Sequence, residues 1–345
     1  MVHGGDIYEY PYQVLDFSAN ANPLGVPKAA LAAAADSLKD CAHYPDTLCR
    51  GLKEAISAFE GVPAEWIACG NGAADVLFRL VLAERPQTAL VLAPSFAEYE
   101  QALKTVGCGV RRHFLRETEG FRLTERILDD LTPGLDMVFL CNPNNPTGFA
   151  AERGLLLKIL GKCRGIGALL MTDECFLPFL ERPEKHTLLS ECGAPGLFVL
   201  KAFTKIFGMP GLRLGYGICS DRELLDRIQS CGQPWSVSVP AQAAGIQAVK
   251  EKGYLEETAG LISRERLYLI DGLQNLELLV YGSQANYVFF RAPGRPDLKE
   301  RLLEHRILIR ACGNYPGLTD EYYRAAVRTH EENKRLMEAL GKVLQ

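Results

Sequence analysis

Four short segments carry residue types that could do chemistry together. The first is Ala202-Phe203-Thr204-Lys205-Ile206-Phe207-Gly208-Met209-Pro210-Gly211-Leu212-Arg213-Leu214-Gly215-Tyr216. A lysine amine condenses with an aldehyde when its surroundings lower its pKa. Beyond a Gly/Pro-rich turn, Arg213 could hold a phosphate through two N–H donors, and Thr204 could add a hydroxyl. Taken alone, the segment reads as a surface lysine beside a turn. The second is Leu169-Leu170-Met171-Thr172-Asp173-Glu174-Cys175-Phe176. An acid at the carboxyl end of a buried strand stands where open α/β sheets bind ligands. It could keep a ring nitrogen protonated, or Asp173 or Glu174 could simply cap the next helix. The third, Asn142-Pro143-Asn144-Asn145-Pro146-Thr147-Gly148, fixes a turn that presents an Asn amide rigidly. In the fourth, Cys69-Gly70-Asn71-Gly72-Ala73-Ala74-Asp75, small residues open a helix whose free N–H groups and dipole favour an anion.

Short apolar runs alternating with helical patterns must position these segments, and that alternation indicates βαβ units and a mostly parallel sheet. The strand candidates are Thr88–Leu92, Met137–Cys141, Ala168–Thr172, Leu197–Leu200 and Leu214–Cys219. Helices are expected over Ala73–Ala83, Ala97–Val106, Glu152–Cys163, Asp221–Ser230 and Pro240–Glu251, followed by a long one from Leu255 to Leu276. Strands at Asn286–Arg291, Ile307–Arg310 and Tyr323–Val327, with helices at Pro296–His305 and Glu331–Val343, suggest a smaller α+β domain. The expected organisation is an N-terminal arm (1–40, with a helix at Lys28–Leu38) joining the small domain, a large domain (41–250) and a C-terminal domain (251–345).

The whole chain has 345 residues, 48% hydrophobic and 23% charged, as in soluble globular proteins. A net charge of −4, from 38 basic and 42 acidic residues, argues against nucleic acid as a partner. No apolar run approaches the roughly 18 residues of a membrane helix, and the N-terminus lacks the pattern of a secretory signal. Eleven cysteines without C-x-x-C spacing read as small buried thiols in a reducing, cytoplasmic compartment. The six histidines show no metal-ligand spacing, so no metal is expected.

In this order, the four segments resemble the fold-type I aminotransferases that use pyridoxal 5′-phosphate, and the likeness runs over nearly the whole chain. It implies an α/β fold with a mostly parallel seven-stranded sheet in the large domain. It also implies that Lys205 binds the cofactor's aldehyde covalently and moves protons at the substrate's Cα. Asp173 would hold the pyridine nitrogen, and Asn145 the ring hydroxyl. Phe96 would stack on the ring, with Phe176 standing where relatives place a tyrosine. Ala73, Ala74, Thr204 and Arg213 would hold the phosphate. Tyr44 would reach the phosphate of a neighbouring subunit's cofactor, making a homodimer the active unit.

The substrate clamp is expected in the small domain. Along Tyr322-Tyr323-Arg324-Ala325-Ala326-Val327-Arg328, positions 324, 326 and 328 share one strand face. An ion pair with the Asp320-Glu321 turn fits Arg328 better than Arg324, and the resemblance puts the carboxylate-binding arginine at Arg324. Arg310 could hold a second substrate anion, as a phosphorylated amino acid would require. The opening His3-Gly4-Gly5, the Leu15–Gly25 segment, the Ile307–Leu318 loop with Tyr322-Tyr323-Arg324, and Gln233-Pro234-Trp235-Ser236-Val237 look like one branch of the family. That branch decarboxylates L-threonine O-3-phosphate in cobalamin biosynthesis and is related to histidinol-phosphate aminotransferases, which give the alternative reading. By that likeness His3, Ala19 and Asn20 would border the substrate, with Asn145 also close to it. Residue types alone do not separate the two reactions. The bond held perpendicular to the ring is the one that breaks, and the same side chains serve both outcomes. A cofactor-binding regulator would need an added DNA-binding domain, for which 345 residues leave no room.

Overall fold

The computed structural model describes residues 4–345. The chain opens with strand β1 (Leu15–Asp16) and helices α1 (Lys28–Asp36) and α2 (Arg50–Glu60). An alternating series follows: β2 (Ile67–Gly70), α3 (Ala73–Glu84), β3 (Thr88–Ala93), α4 (Glu98–Thr105) and β4 (Gly109–Phe114). It continues with the single turn α5 (Ile127–Asp130), β5 (Met137–Cys141), α6 (Arg153–Ile166), β6 (Leu169–Asp173) and β7 (Leu197–Ala202). The single turn α7 (Phe203–Ile206), β8 (Gly215–Ile218), α8 (Arg222–Cys231) and α9 (Val239–Ala248) complete it. Beyond these lie the long α10 (Lys252–Asn275), β9 (Leu279–Val280), β10 (Tyr287–Arg291), α11 (Leu298–Glu304), β11 (Ile307–Leu308), β12 (Arg310–Ala311), β13 (Tyr322–Ala326) and α12 (His330–Leu344).

Seven strands form one sheet in the order β2-β8-β7-β6-β5-β3-β4. Its neighbours are parallel except at β8, which runs antiparallel to both β2 and β7. The uninterrupted apolar run of β5 follows from helices on both faces. Val138 and Leu140 enter a core with Leu52 and Ile56 of α2 and Leu156 and Ile159 of α6. Met137, Phe139 and Cys141 enter the opposite core with Val76 of α3, Tyr99 of α4 and Ile228 of α8. Edge strand β4 carries exposed Arg111 and Arg112, charges that discourage further strand addition.

A second, antiparallel sheet runs β12-β13-β10-β9, and α10 and α11 both pack on α12 beside it. The expected strand over Ile307–Arg310 is divided in two. Residues Ile307–Leu308 pair in parallel with β1 of the N-terminal segment, whereas Arg310–Ala311 pair with β13. The break follows from a change of partner at Ile309. Strands β2 and β4 and helix α2 were not expected. β2 has only four residues and ends in glycine, β4 carries Arg111-Arg112-His113 in a row where an apolar strand would be recognised, and α2 carries Gly51 in its first turn.

Gly215 marks the tightest approach between the sheet and α3. A Cβ there would lie 2.2 Å from the Ala73 nitrogen, a backbone atom that cannot swing away. Gly215→Ala is therefore expected to lower stability by about 1–3 kcal/mol, the range for overpacking. Gly211→Ala, with no heavy atom within 4 Å of its Cβ, serves as the control. Equal melting temperatures for the two variants would contradict this packing.

Candidate active site

Four adjacent strands, in the spatial order β7-β6-β5-β3, end on one side of the sheet. Strand spacing of about 4.8 Å spreads their carboxyl ends over roughly 14 Å. Lys205 follows β7, Asp173 closes β6, Asn145 follows β5 and Phe96 follows β3. All four line one cavity of about 370 Å³. Ala73, Ala74, Thr204, Arg213 and Phe176 line it too, as do Ala19, Asn20, Arg310 and Arg324 from the arm and second sheet. Tyr44, expected to serve a neighbouring subunit, does not line the cavity of its own chain. It is 77% exposed, and His3 lies outside the described residues.

Lys205 sits in the single turn α7. Asn22 of the arm fixes that turn: its main-chain N–H donates to the Lys205 carbonyl at 3.1 Å, and its Nδ2 donates to the Ile206 carbonyl at 2.8 Å. The lysine Nζ stands 5.7 Å from the centroid of the Phe176 ring. Burial, reinforced by the charge of Arg324 and, more weakly, Arg213, pulls its ammonium below the usual range. Lys201, four residues earlier, behaves oppositely. Burial opposes its charge, but Glu60, 2.7 Å away, and Glu174 together hold the ammonium above its usual range.

Asp173 accepts the Tyr99 hydroxyl at 2.7 Å on one oxygen and the Cys175 N–H at 2.9 Å on the other, which fixes the carboxylate plane. Neither Asp173 nor Glu174 caps the next helical turn, Leu177–Phe179, which starts from Phe176 without a side-chain hydrogen bond. Glu174 faces away, accepting from the Thr187 hydroxyl at 2.7 Å and the Leu188 N–H at 2.9 Å, and burial pushes its pKa up.

The two asparagines of the turn divide their work. Asn144 ties it down through the Pro94 carbonyl at 3.0 Å and the Ser95 hydroxyl at 2.9 Å, while its own carbonyl accepts from Tyr287 at 2.9 Å. Asn145 faces the cavity, where its Oδ1 accepts a hydrogen bond from Arg324. A guanidinium only donates, so the amide oxygen must face it and the NH2 group turns elsewhere.

At one end of the cavity the N-terminus of α3 presents the free N–H groups of Ala73 and Ala74 beside Thr204 and the exposed Arg213. A Cβ on Gly72 would lie 2.5 Å from Arg213 Nη2, so glycine is what lets the guanidinium close on the helix end. A phosphate fits this set of donors. With Asp173 and Asn145 spaced across the strands and Phe96 as a flat apolar wall, the residues present suit a phosphorylated pyridine aldehyde.

At the other end, Arg310 and Arg324 are direct partners across β12 and β13, and both are buried. Arg310 donates to the Ala311 carbonyl and the Asn314 amide oxygen, each at 2.9 Å. Arg324 donates to Asn145 and, at 2.5 Å, to the Ser18 carbonyl. Among the described residues these hydrogen bonds all end on neutral oxygens. Arg328 instead pairs with Glu332 at 2.8 Å, not with the Asp320-Glu321 turn. Sequence reasoning missed Asn22, Tyr99 and Asn144 as positioning residues. The single local signal is the spacing of Tyr99 three residues beyond Phe96, which puts it one helical turn behind the cavity wall.

A sequence profile of the aminotransferase class I and II family matches residues 12–340. The threonine-phosphate decarboxylase of Salmonella typhimurium is 41% identical over 351 residues, covering 99% of this chain and 96% of that protein. The adenosylcobalamin biosynthesis bifunctional protein of Leptospira interrogans is 30% identical over 99% of this chain and 41% of its own length. The crystal structure of the histidinol-phosphate aminotransferase from Clostridium acetobutylicum superimposes with a TM-score of 0.90 at 30% identity, over 96% of this chain and 99% of that one.

The depressed pKa of Lys205 has a consequence for the cofactor-free protein. Folding holds this proton less tightly than the unfolded chain does, so Lys205 costs stability below its unfolded pKa of about 10.4, and stability recovers as pH rises toward it. Lys205→Met is expected to raise the melting temperature at pH 7, with the gain shrinking toward pH 10. A variant that melts lower than the wild type at pH 7 would show that the amine is not strained in this setting.

Proposed function

The chain belongs to the class I and II aminotransferase family, and from that premise we propose that it is a pyridoxal 5′-phosphate-dependent decarboxylase of L-threonine O-3-phosphate. Its products would be CO2 and (R)-1-amino-2-propanol O-2-phosphate, destined for cobalamin biosynthesis, in keeping with the Salmonella and Leptospira relatives. The observation that carries this reading is the opposed, buried pair Arg310 and Arg324, whose hydrogen bonds among the described residues end on neutral oxygens. Like charges directly across a ladder destabilise it, and a substrate bearing both a carboxylate and a phosphate neutralises them.

When bound, pyridoxal 5′-phosphate supplies a protonated ring that takes up the charge left at Cα when a bond there breaks. Asp173, its plane set by Tyr99 and Cys175, keeps the proton on the ring nitrogen. Ala73, Ala74, Thr204 and Arg213 hold the phosphate, Phe96 and Phe176 bound the ring, and Asn145 meets its hydroxyl. Arg324 and Arg310 orient the substrate by its two anions, with Ala19 and Asn20 beside them. For decarboxylation, that grip would have to hold the carboxylate bond, in place of the Cα–H bond, perpendicular to the ring. Lys205, whose lowered pKa lets it exchange protons closer to neutral pH than a free lysine, would deliver a proton to Cα from its ammonium form and be left as the neutral amine.

Tyr44 supports a homodimer in which it serves the second copy's phosphate site. It is exposed together with Leu31, Leu38, Leu48 and Trp235, an apolar set around α1, the turn that follows it and α9. Nine of the eleven cysteines are buried and all are free, which suits a reducing, cytoplasmic setting. Among the described residues no helix is long and apolar enough to cross a membrane. The second reading, a histidinol-phosphate aminotransferase, is favoured by the likeness to the clostridial structure.

Purified protein loaded with pyridoxal 5′-phosphate and given threonine phosphate alone is expected to release CO2 stoichiometrically. A strict requirement for an amino acceptor, with a 2-oxo acid formed, would establish the aminotransferase instead. Arg310→Ala is expected to weaken threonine phosphate by about 1.5–3 kcal/mol, and unphosphorylated threonine much less. Equal losses in calorimetric titrations would remove Arg310 from phosphate recognition.

A further inference from the structure

We propose that Trp235 is a positioning residue for the cofactor site of the second copy, acting by holding the ring of Tyr44 in place. The inference rests on the homodimer reading above. Tyr44 lies on an exposed loop between α1 and α2, where a free aromatic side chain loses rotamer entropy on being ordered. A hydroxyl that must meet a phosphate on another chain binds better if that ordering is already complete.

The structure supplies the platform. The indole of Trp235 stacks on the Tyr44 ring with centroids 4.3 Å apart and planes 23° from parallel. Trp235 has a left-handed backbone, φ +60°, which is uncommon for a bulky aromatic residue and marks a conformation imposed by its surroundings. Gln242 of α9 ties the two loops together, its Nε2 donating to the Asp46 and Val237 carbonyls at 3.0 Å each. Both loops are also fixed at their ends. Asp46 caps α2 by accepting the Arg50 N–H at 2.7 Å and the Leu48 N–H at 3.1 Å, and Ser238 caps α9 by accepting the Ala241 N–H at 3.3 Å. At the other end of the Trp235 loop, a Cβ on Gly232 would lie 2.3 Å from Arg79 Cδ. Arg79 in turn donates to the Cys69 carbonyl of β2 at 2.9 Å and pairs with Asp75 in the first turn of α3 at 2.5 Å, on either side of the loop that opens α3. The platform for Tyr44 is thus built against the phosphate cradle of its own chain while it presents Tyr44 outward. Generic apolar packing explains neither the near-parallel stack nor the shared tie through Gln242.

The test is equilibrium dialysis of the apoprotein with pyridoxal 5′-phosphate, at concentrations where sedimentation gives a dimer. Tyr44→Phe, which loses only the hydroxyl, is expected to weaken cofactor binding about tenfold. Trp235→Leu should weaken it comparably, whereas Trp235→Phe, which keeps a stacking ring, should restore most of the affinity. In the Tyr44→Phe background, Trp235→Leu should add little, because the two act through one contact. Wild-type affinity in a dimeric Trp235→Leu protein, or losses that add fully in the double variant, would overturn the proposal while leaving the dimer intact. A wild-type protein that is monomeric and binds the cofactor tightly would overturn the homodimer reading and this inference with it.

Discussion

More positive charge faces the cavity than its own carboxylates neutralise. Lys205, Arg213, Arg310 and Arg324 line it against Asp173 and Glu98. The two arginines of the second sheet are buried, and among the described residues their hydrogen bonds end on neutral oxygens. Such a site costs folding energy until anions enter it. Burial, reinforced by the charges of Arg324 and Arg213, lowers the Lys205 pKa, which frees the amine for chemistry. Arg324 thus contributes both to anion binding and to the lowered pKa of the amine. The helix end of the cavity suits one anion, and the opposed arginines suit two more negative groups on a substrate.

The fold makes this arrangement possible by separating rigid from converging parts. Four adjacent strand ends place Lys205, Asp173, Asn145 and Phe96 at intervals set by backbone hydrogen bonding. The arm and second sheet then bring Ser18, Asn22, Arg310 and Arg324 across the opening. Two of the contacts between these parts bear directly on the site. Asn22 anchors the turn that carries Lys205, and Arg324 joins Asn145 to the Ser18 carbonyl. A loss at either contact would misplace groups on both sides of the cavity at once.

Much of the site was legible in the sequence because its residues sit at points where local pattern changes. Asp173 ends an apolar run, Asn145 sits in a proline-locked turn, and Lys205 follows a strand into a glycine-rich turn. The central strands were legible for the same reason, being continuous apolar runs that helices cover on both faces. The exceptions have physical causes. Strand β4 is a charged edge, β2 is too short to show a period, and Ile307–Ala311 changes partner midway. Contacts such as Tyr99 with Asp173, or Arg324 with Asn145, join residues far apart in the chain, and no local periodicity encodes them. The stack of Tyr44 on Trp235 is of the same kind.

The account turns on which amine meets the cofactor's aldehyde. The most direct measurement is borohydride reduction of the pyridoxal 5′-phosphate-loaded protein, followed by peptide mass mapping. The pyridoxyl mass should appear on Lys205 alone. Lys201 is the internal control, since Glu60 and Glu174 hold it as an ammonium ion. A tag on Lys201 or elsewhere, with an unmodified Lys205 peptide recovered from a yellow sample, would contradict the central claim.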